Sequence, residues 1–229
     1  TELLQSSVSA SYLGSVKTAS ISVQPIKLAS ISLSPSSTVG GQSAVTGFVT
    51  LTGPAPAGGL VVPLTSNNEG VTPYTQTTVQ EGATMASFGM TTVTIESAIS
   101  AVITASFGGV TKSATLSVNP LAVSGITVSP SITGGISTKW RVTLNGVAPA
   151  GGTVMTLTSS NPSIITLPAT VTIPAGKNTI EMTIVPAVVS VNTKVTLSAK
   201  VGQATKSATV TVNTSRLYSI GLNSGITTG

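Results

Sequence analysis

The chain is predicted to be all-β: antiparallel β-sandwiches in tandem, about seven strands each, with partial modules at both ends. Three observations carry this. A segment recurs at intervals of about 95 residues, apolar residues alternate with Ser and Thr at a period of two, and the composition disfavours helices. Val, Ile, Thr and Ser are abundant, and β-branched side chains lose rotamer freedom in a helix.

The repeat is read from three stretches: "SASYLGSVKTASISVQP" ending at Pro25, "TASFGGVTKSATLSVNP" ending at Pro120, and "SAKVGQATKSATVTVNT" ending at Thr214. Lys17, Lys112 and Lys206 stand in register. After each copy comes a second shared string: "LASISLSPSS" from Leu28, "LAVSGITVSPSI" from Leu121 and "LYSIGLNSGI" from Leu217. The expected division is therefore 1–25, late strands of a partial module; 26–120 and 121–214, two complete modules; and 215–229, the first strand of a further one.

Within each copy one parity is apolar. Val45, Gly47, Val49 and Leu51 match Trp140, Val142 and Leu144; Ala86, Phe88 and Met90 match Ile180, Met182 and Ile184. Ile103, Ala105 and Phe107 match Leu197, Ala199 and Val201, and Val8, Ala10 and Tyr12 in the first partial copy. Ala114, Leu116 and Val118 match Ala208, Val210 and Val212. Residues of one parity share a strand face, so each set reads as the buried side of a strand. "GPAPAGG" at Gly53 and "GVAPAGG" at Gly146 are then one turn in two copies, with Pro restricting φ and Gly supplying positive φ. A strand follows this turn and no Lys-Ser or Lys-Thr does, so it is not a phosphate loop. A module of ~95 residues with about seven strands has the immunoglobulin-like size, without that fold's Cys–Trp–Cys signature.

The string "NGVAPAGGTVMTLTSSNPSIITLPATVTIPAGKNTIEMTI", from Asn145 to Ile184, resembles tandem immunoglobulin-like repeats of large secreted and cell-surface proteins of bacteria and archaea. The first copy is looser, with "SNNEG" for "SSNPS" and "QEG" for "PAG". The resemblance implies the module. For function it implies a choice among stalks, filaments, surface-layer units and enzyme appendages.

The residue inventory speaks against common chemistries. The chain has no His, Cys or Asp, and its acids are Glu2, Glu69, Glu81, Glu96 and Glu181. That leaves no base for an acyl-transfer triad, no zinc ligand set, no paired carboxylates in repeat register and no Asp-rich calcium cage. No catalytic, cofactor-binding or metal-binding residue is assigned, no cofactor is expected, and binding residues are left open. Only 7% of residues are charged and the net charge is +5. The ten basic residues are dispersed and aromatics are scarce, which does not suit a nucleic-acid partner. No apolar run reaches the ~18 residues of a membrane helix.

Individual residues admit rival readings. Trp140, whose counterpart is Gly47, is read as a core or end-cap residue ahead of a sugar-stacking platform. Lys17, Lys112 and Lys206 are read first as inward-pointing or edge lysines that discourage stray strand pairing. A Lys–Asn bond ranks second, and a cationic row facing an anionic glycan third. Asn213 opens a lone "NTS" sequon.

The joins "QPIKLAS" and "NPLAVSG" are short, so modules are expected to stack as a semi-rigid rod of roughly 35 Å each. The sequence thus points to a non-enzymatic structural subunit of an extracellular prokaryotic filament, sheath or surface layer. Its expected partner is itself, head to tail and laterally, and cell-surface glycans are a further expected partner. The split ends leave two readings: the 229 residues are a window on a longer chain, or terminal strands complete modules of neighbouring subunits by strand addition. The alternatives are an adhesin stalk or carbohydrate-binding module, or an appendage of an enzyme or phage particle.

Overall fold

The structure is a computed structural model, described here for residues 4–42 and 45–215. The expected strand in 215–229 lies, from residue 216 onward, outside the described residues. No helix occurs among them. The chain divides into two compact units, Thr1–Pro120 and Leu121–Gly229.

The first unit begins with a hairpin, β1 (Leu4–Tyr12) and β2 (Ser15–Val23). These strands pair along their whole length and, among the described residues, with no other strand. Nine strands follow: β3 (Leu28–Ser34), β4 (Ser37–Val39), β5 (Thr46–Leu51), β6 (Leu60–Ser66), β7 (Val71–Pro73), β8 (Gln76–Val79), β9 (Met85–Thr92), β10 (Ile99–Phe107) and β11 (Val110–Asn119). One sheet has the order β3-β5-β9-β7 and the other β4-β11-β10-β6-β8. This is the immunoglobulin-like arrangement, four strands facing the last hairpin and its neighbour.

The second unit contains β12 (Val123–Val128), β13 (Ser131–Thr133), β14 (Thr138–Leu144), β15 (Thr153–Ser159), β16 (Thr170–Ile173), β17 (Thr179–Ile184), β18 (Thr193–Val201) and β19 (Ala204–Asn213). Its sheets run β12-β14-β17 and β13-β19-β18-β15-β16. The first strand of each sandwich is cut in two, which raises the count above seven. Pro35 and Pro130 cause the cut, since proline cannot donate to a ladder. Beyond each proline the chain crosses to the other sheet, where β4 and β13 pair in parallel with β11 and β19. Pairing between the described strands is therefore antiparallel except at these two short ladders; the isolated Ala55–Glu81 bridge is also parallel.

The core follows the alternation. In the first sandwich Val49, Val62, Ile103, Leu116 and Val118 are fully buried, as are Val142, Met155, Leu197, Val210 and Val212 in the second. Each such side chain contributes roughly 1.5–3 kcal/mol by leaving water. The copies diverge after β6. In the first, Val71 enters the core from β7. In the second the chain turns at Asn161, whose carbonyl accepts from the Ile164 and Ile165 amides, and Ile165 fills the place at 0% exposure.

The repeated turn is a clasp. The Gly59 amide donates to Pro56 O at 2.9 Å and the Gly152 amide to Pro149 O at 2.8 Å. Gly58 and Gly151, at φ +87° and +93°, hold the third position, as a type II turn requires. Buried Ala55 and Ala148 then dock a second turn. Ala55 donates to Ala83 O and accepts from Gly82; Ala148 donates to Lys177 O and accepts from Gly176. "QEG" and "PAG" are the same second turn, each closing on a glycine of positive φ, Gly82 and Gly176.

Candidate assembly surface

The three hairpins β1–β2, β10–β11 and β18–β19 share one register. Val8 faces Ala19, Ile103 faces Ala114 and Leu197 faces Ala208. In the two later hairpins this face is core. In the first it is open: Leu4 is 71% exposed, Val8 65%, Ile21 57% and Val23 54%. The opposite face is a hydroxyl ladder, with Ser9 bonded to Thr18, Ser106 to Thr111, Thr196 to Thr209 and Ser198 to Ser207. Apolar side chains on the open hairpin are thus confined largely to one side, the side that the other copies bury.

The recurrent lysines stand opposite alanines: Lys17 faces Ala10, Lys112 faces Ala105 and Lys206 faces Ala199. Their parity is that of the core, yet all three are exposed. β4 covers only Ser117–Asn119 of β11, and β13 only Thr211–Asn213 of β19. Among the described residues Lys112 and Lys206 therefore sit where the outer edge of the last strand has no strand partner, and a charge there opposes stray pairing. Within each hairpin neither an asparagine nor an acid stands directly across from these lysines.

Trp140 is fully buried, so it offers no platform for a sugar; the core reading holds. In the first sandwich the corresponding cross-strand pair carries its ring on the other strand, at Phe88. Trp140 lies opposite Met182, while Gly47 lies opposite Phe88. A Cβ added at Gly47 would overlap the Phe88 ring. The large and small members of one cross-strand pair have exchanged strands. The indole Nε1 finds no hydrogen-bond partner.

On the outer face of the same sheet Glu181 accepts from Lys139 Nζ at 2.6 Å and Arg141 Nη2 at 3.1 Å. The first copy has Ser87 and Phe48 at the places of Glu181 and Arg141. The hydrogen bond from Lys139, then that from Arg141, hold the Glu181 carboxyl below its ordinary value of 4.5. Because the folded value is the lower one, the ion pair stabilises the fold above the ordinary carboxylate range. That contribution disappears as pH falls through the folded value. We expect carboxyl NMR of Glu181 to show a midpoint below 4.5, moving upward in Lys139→Met and at high salt. The effect on stability is expected to be small, since the pair is solvated.

The sequon asparagine is already engaged. Asn213 Nδ2 donates to Ser131 Oγ at 2.6 Å, and Asn119, which opens no sequon, makes the same bond to Ser37 at 3.1 Å. This repeated tie between the last strand and β4 or β13 was not recognised from sequence. Its signal was there in the shared Asn119 and Asn213. Among the described residues no cluster of three or more His, Cys, Asp or Glu gathers.

No family model and no curated protein matches the chain. Among solved structures it is similar to an I-band fragment of titin, at 12% identity and a TM-score of 0.31, over 93% of this chain and 75% of that one. It is also similar to domains 4–9 of the surface layer protein SbsC, at 20% identity and a TM-score of 0.29, over 93% of this chain and 35% of that one. A third is Escherichia coli alpha-2-macroglobulin, at 11% identity and a TM-score of 0.31, over 93% and 25%. Likeness at this level assigns no role to any residue.

Proposed function

We propose that the chain is a non-enzymatic structural element of a prokaryotic cell surface, a filament, sheath or surface layer whose immunoglobulin-like modules are joined end to end. One observation carries the reading: a single hairpin pattern occurs three times, twice closed inside a sandwich and once with its apolar face open. An isolated hairpin is marginal in water, so the apolar face of this copy calls for an opposing sheet of the kind that covers the other two. Only three residues separate β11 from β12. Low charge suits dense packing, where like charges would repel. The carbohydrate-binding alternative loses its best aromatic, because Trp140 is buried.

The test is immunogold electron microscopy and fractionation of the source cells. Label along surface fibres or a surface lattice is the expected result. Label confined to the cell interior, or to dispersed monomers, would remove the proposal.

A further inference from the structure

This inference rests on the structural reading just given and identifies what the open hairpin binds. We infer that the apolar face of β1–β2 is a docking surface for an incomplete sandwich of the same repeat, one that has strands equivalent to β3–β9 and lacks the final hairpin.

Three features of the hairpin match that occupant. The first is the face. Leu4, Val8 and Ala10 hold the places of Ile99, Ile103 and Ala105, and Ile21 and Val23 those of Leu116 and Val118. In the complete copy these residues join one core with Leu28, Val49 and Phe88 of the opposing sheet. Ile103, Ala105, Leu116 and Val118 are buried to 0% there. The second is the edge of β1 away from β2, which no described strand covers. In the complete copy β6 pairs its Leu64–Ser66 with Ile103–Ala105, the places of Val8–Ala10. The third is the end of β2. Ser22, Val23 and Gln24 hold the places of Ser117, Val118 and Asn119, which receive Ser37–Val39 as a parallel strand. A lipid surface or a small apolar ligand would use the face and leave both edges unpaired. The remainder β3–β9 satisfies all three.

The probe is a fragment of this protein's own residues 26–98, mixed with the full 229-residue chain. Hydrogen exchange is followed at the β1 and β2 amides. Docking is expected to slow their exchange by about tenfold or more, with β10–β11 unchanged, and Val8→Glu with Ile21→Glu is expected to abolish the effect. Because the fragment alone can fail to fold, a second protein carries residues 26–98 placed directly before Leu4, the junction that Ala98 makes with Ile99. It is expected to show the same protection and one additional cooperative unfolding transition. Hairpin amides left unprotected in both experiments overturn the inference. So does protection that grows with concentration of the chain alone, which would make a second copy the occupant, or protection by phosphatidylcholine vesicles. A chain that forms fibres while its hairpin ignores the fragment refutes this inference and leaves the structural role standing. A protected hairpin in a protein found only inside the cell does the reverse.

Discussion

Trp140→Ala is expected to destabilise the second sandwich by about 3–5 kcal/mol. The ring is wholly buried between strands, and its removal leaves a cavity that Met182 across the pair cannot fill. Trp140→Phe is expected to be much milder, because it also removes an indole N–H that has no acceptor, a defect worth about 1–3 kcal/mol. The sharper experiment copies the first sandwich into the second. Trp140→Gly and Met182→Phe together rebuild the Gly47–Phe88 pair and are expected to be less harmful than the sum of the two single changes. The converse is Gly47→Ala, which forces a methyl into the Phe88 ring and is expected to cost about 1–3 kcal/mol. Adding Phe88→Met is expected to recover part of that loss. Chemical denaturation of the single and double variants measures the coupling. Strict additivity would show that the two members of a pair do not fill one shared volume.

Gly152→Ala is expected to cost about 1–2 kcal/mol more than Gly151→Ala, its neighbour in the clasp. Both residues have positive φ, so both substitutions carry the left-handed penalty of about 1–2 kcal/mol. They differ in surroundings. A Cβ at Gly151 meets nothing within 4 Å, whereas one at Gly152 comes within 2.7 Å of Ile173 O. That oxygen belongs to the backbone beside the second turn, so it cannot swing aside. The same ranking is expected at Gly59, where the approach to Val79 O is 2.8 Å, against Gly58, which is open. Melting temperatures of the four variants check the order. Equal costs within each pair would mean that close approach plays no part in the repeat of this motif.

The inward faces of β5, β9, β10, β11 and their partners in the second copy were legible, because strict alternation runs through Val45–Leu51 and Ile103–Phe107. The first strand was not legible in detail. Leu28 and Ile31 both face the core, although an odd spacing separates them, because a bulge shifts the register between Leu28 and Ser30. The same bulge recurs between Val123 and Gly125. Period-two patterning cannot report a residue that the ladder skips. The parallel pairing of β4 and β13 was hidden for another reason: its three-residue strands are too short to carry a period. For the assembly surface, sequence marked the hairpin but could not set its burial. Val8 and Ile103 have the same pattern around them, yet one is 65% exposed and the other 0%. Burial is decided by the sheet opposite, which local sequence does not contain.

The short parallel ladders place the beginning and the end of each module side by side. Ser37–Val39 lies along Ser117–Asn119, flanked by the Ser117 amide bonded to Ser36 O and the Gly40 amide bonded to Asn119 O. A pull on the two termini of such a module acts along these strands. It loads the hydrogen bonds together in shear instead of opening them one after another like a zipper. The side-chain tie from Asn119 to Ser37, repeated from Asn213 to Ser131, crosses the same seam. Resistance of such a module to tension is thus expected to rest on this latch of a few residues together with the β3–β5 ladder that precedes it in the chain.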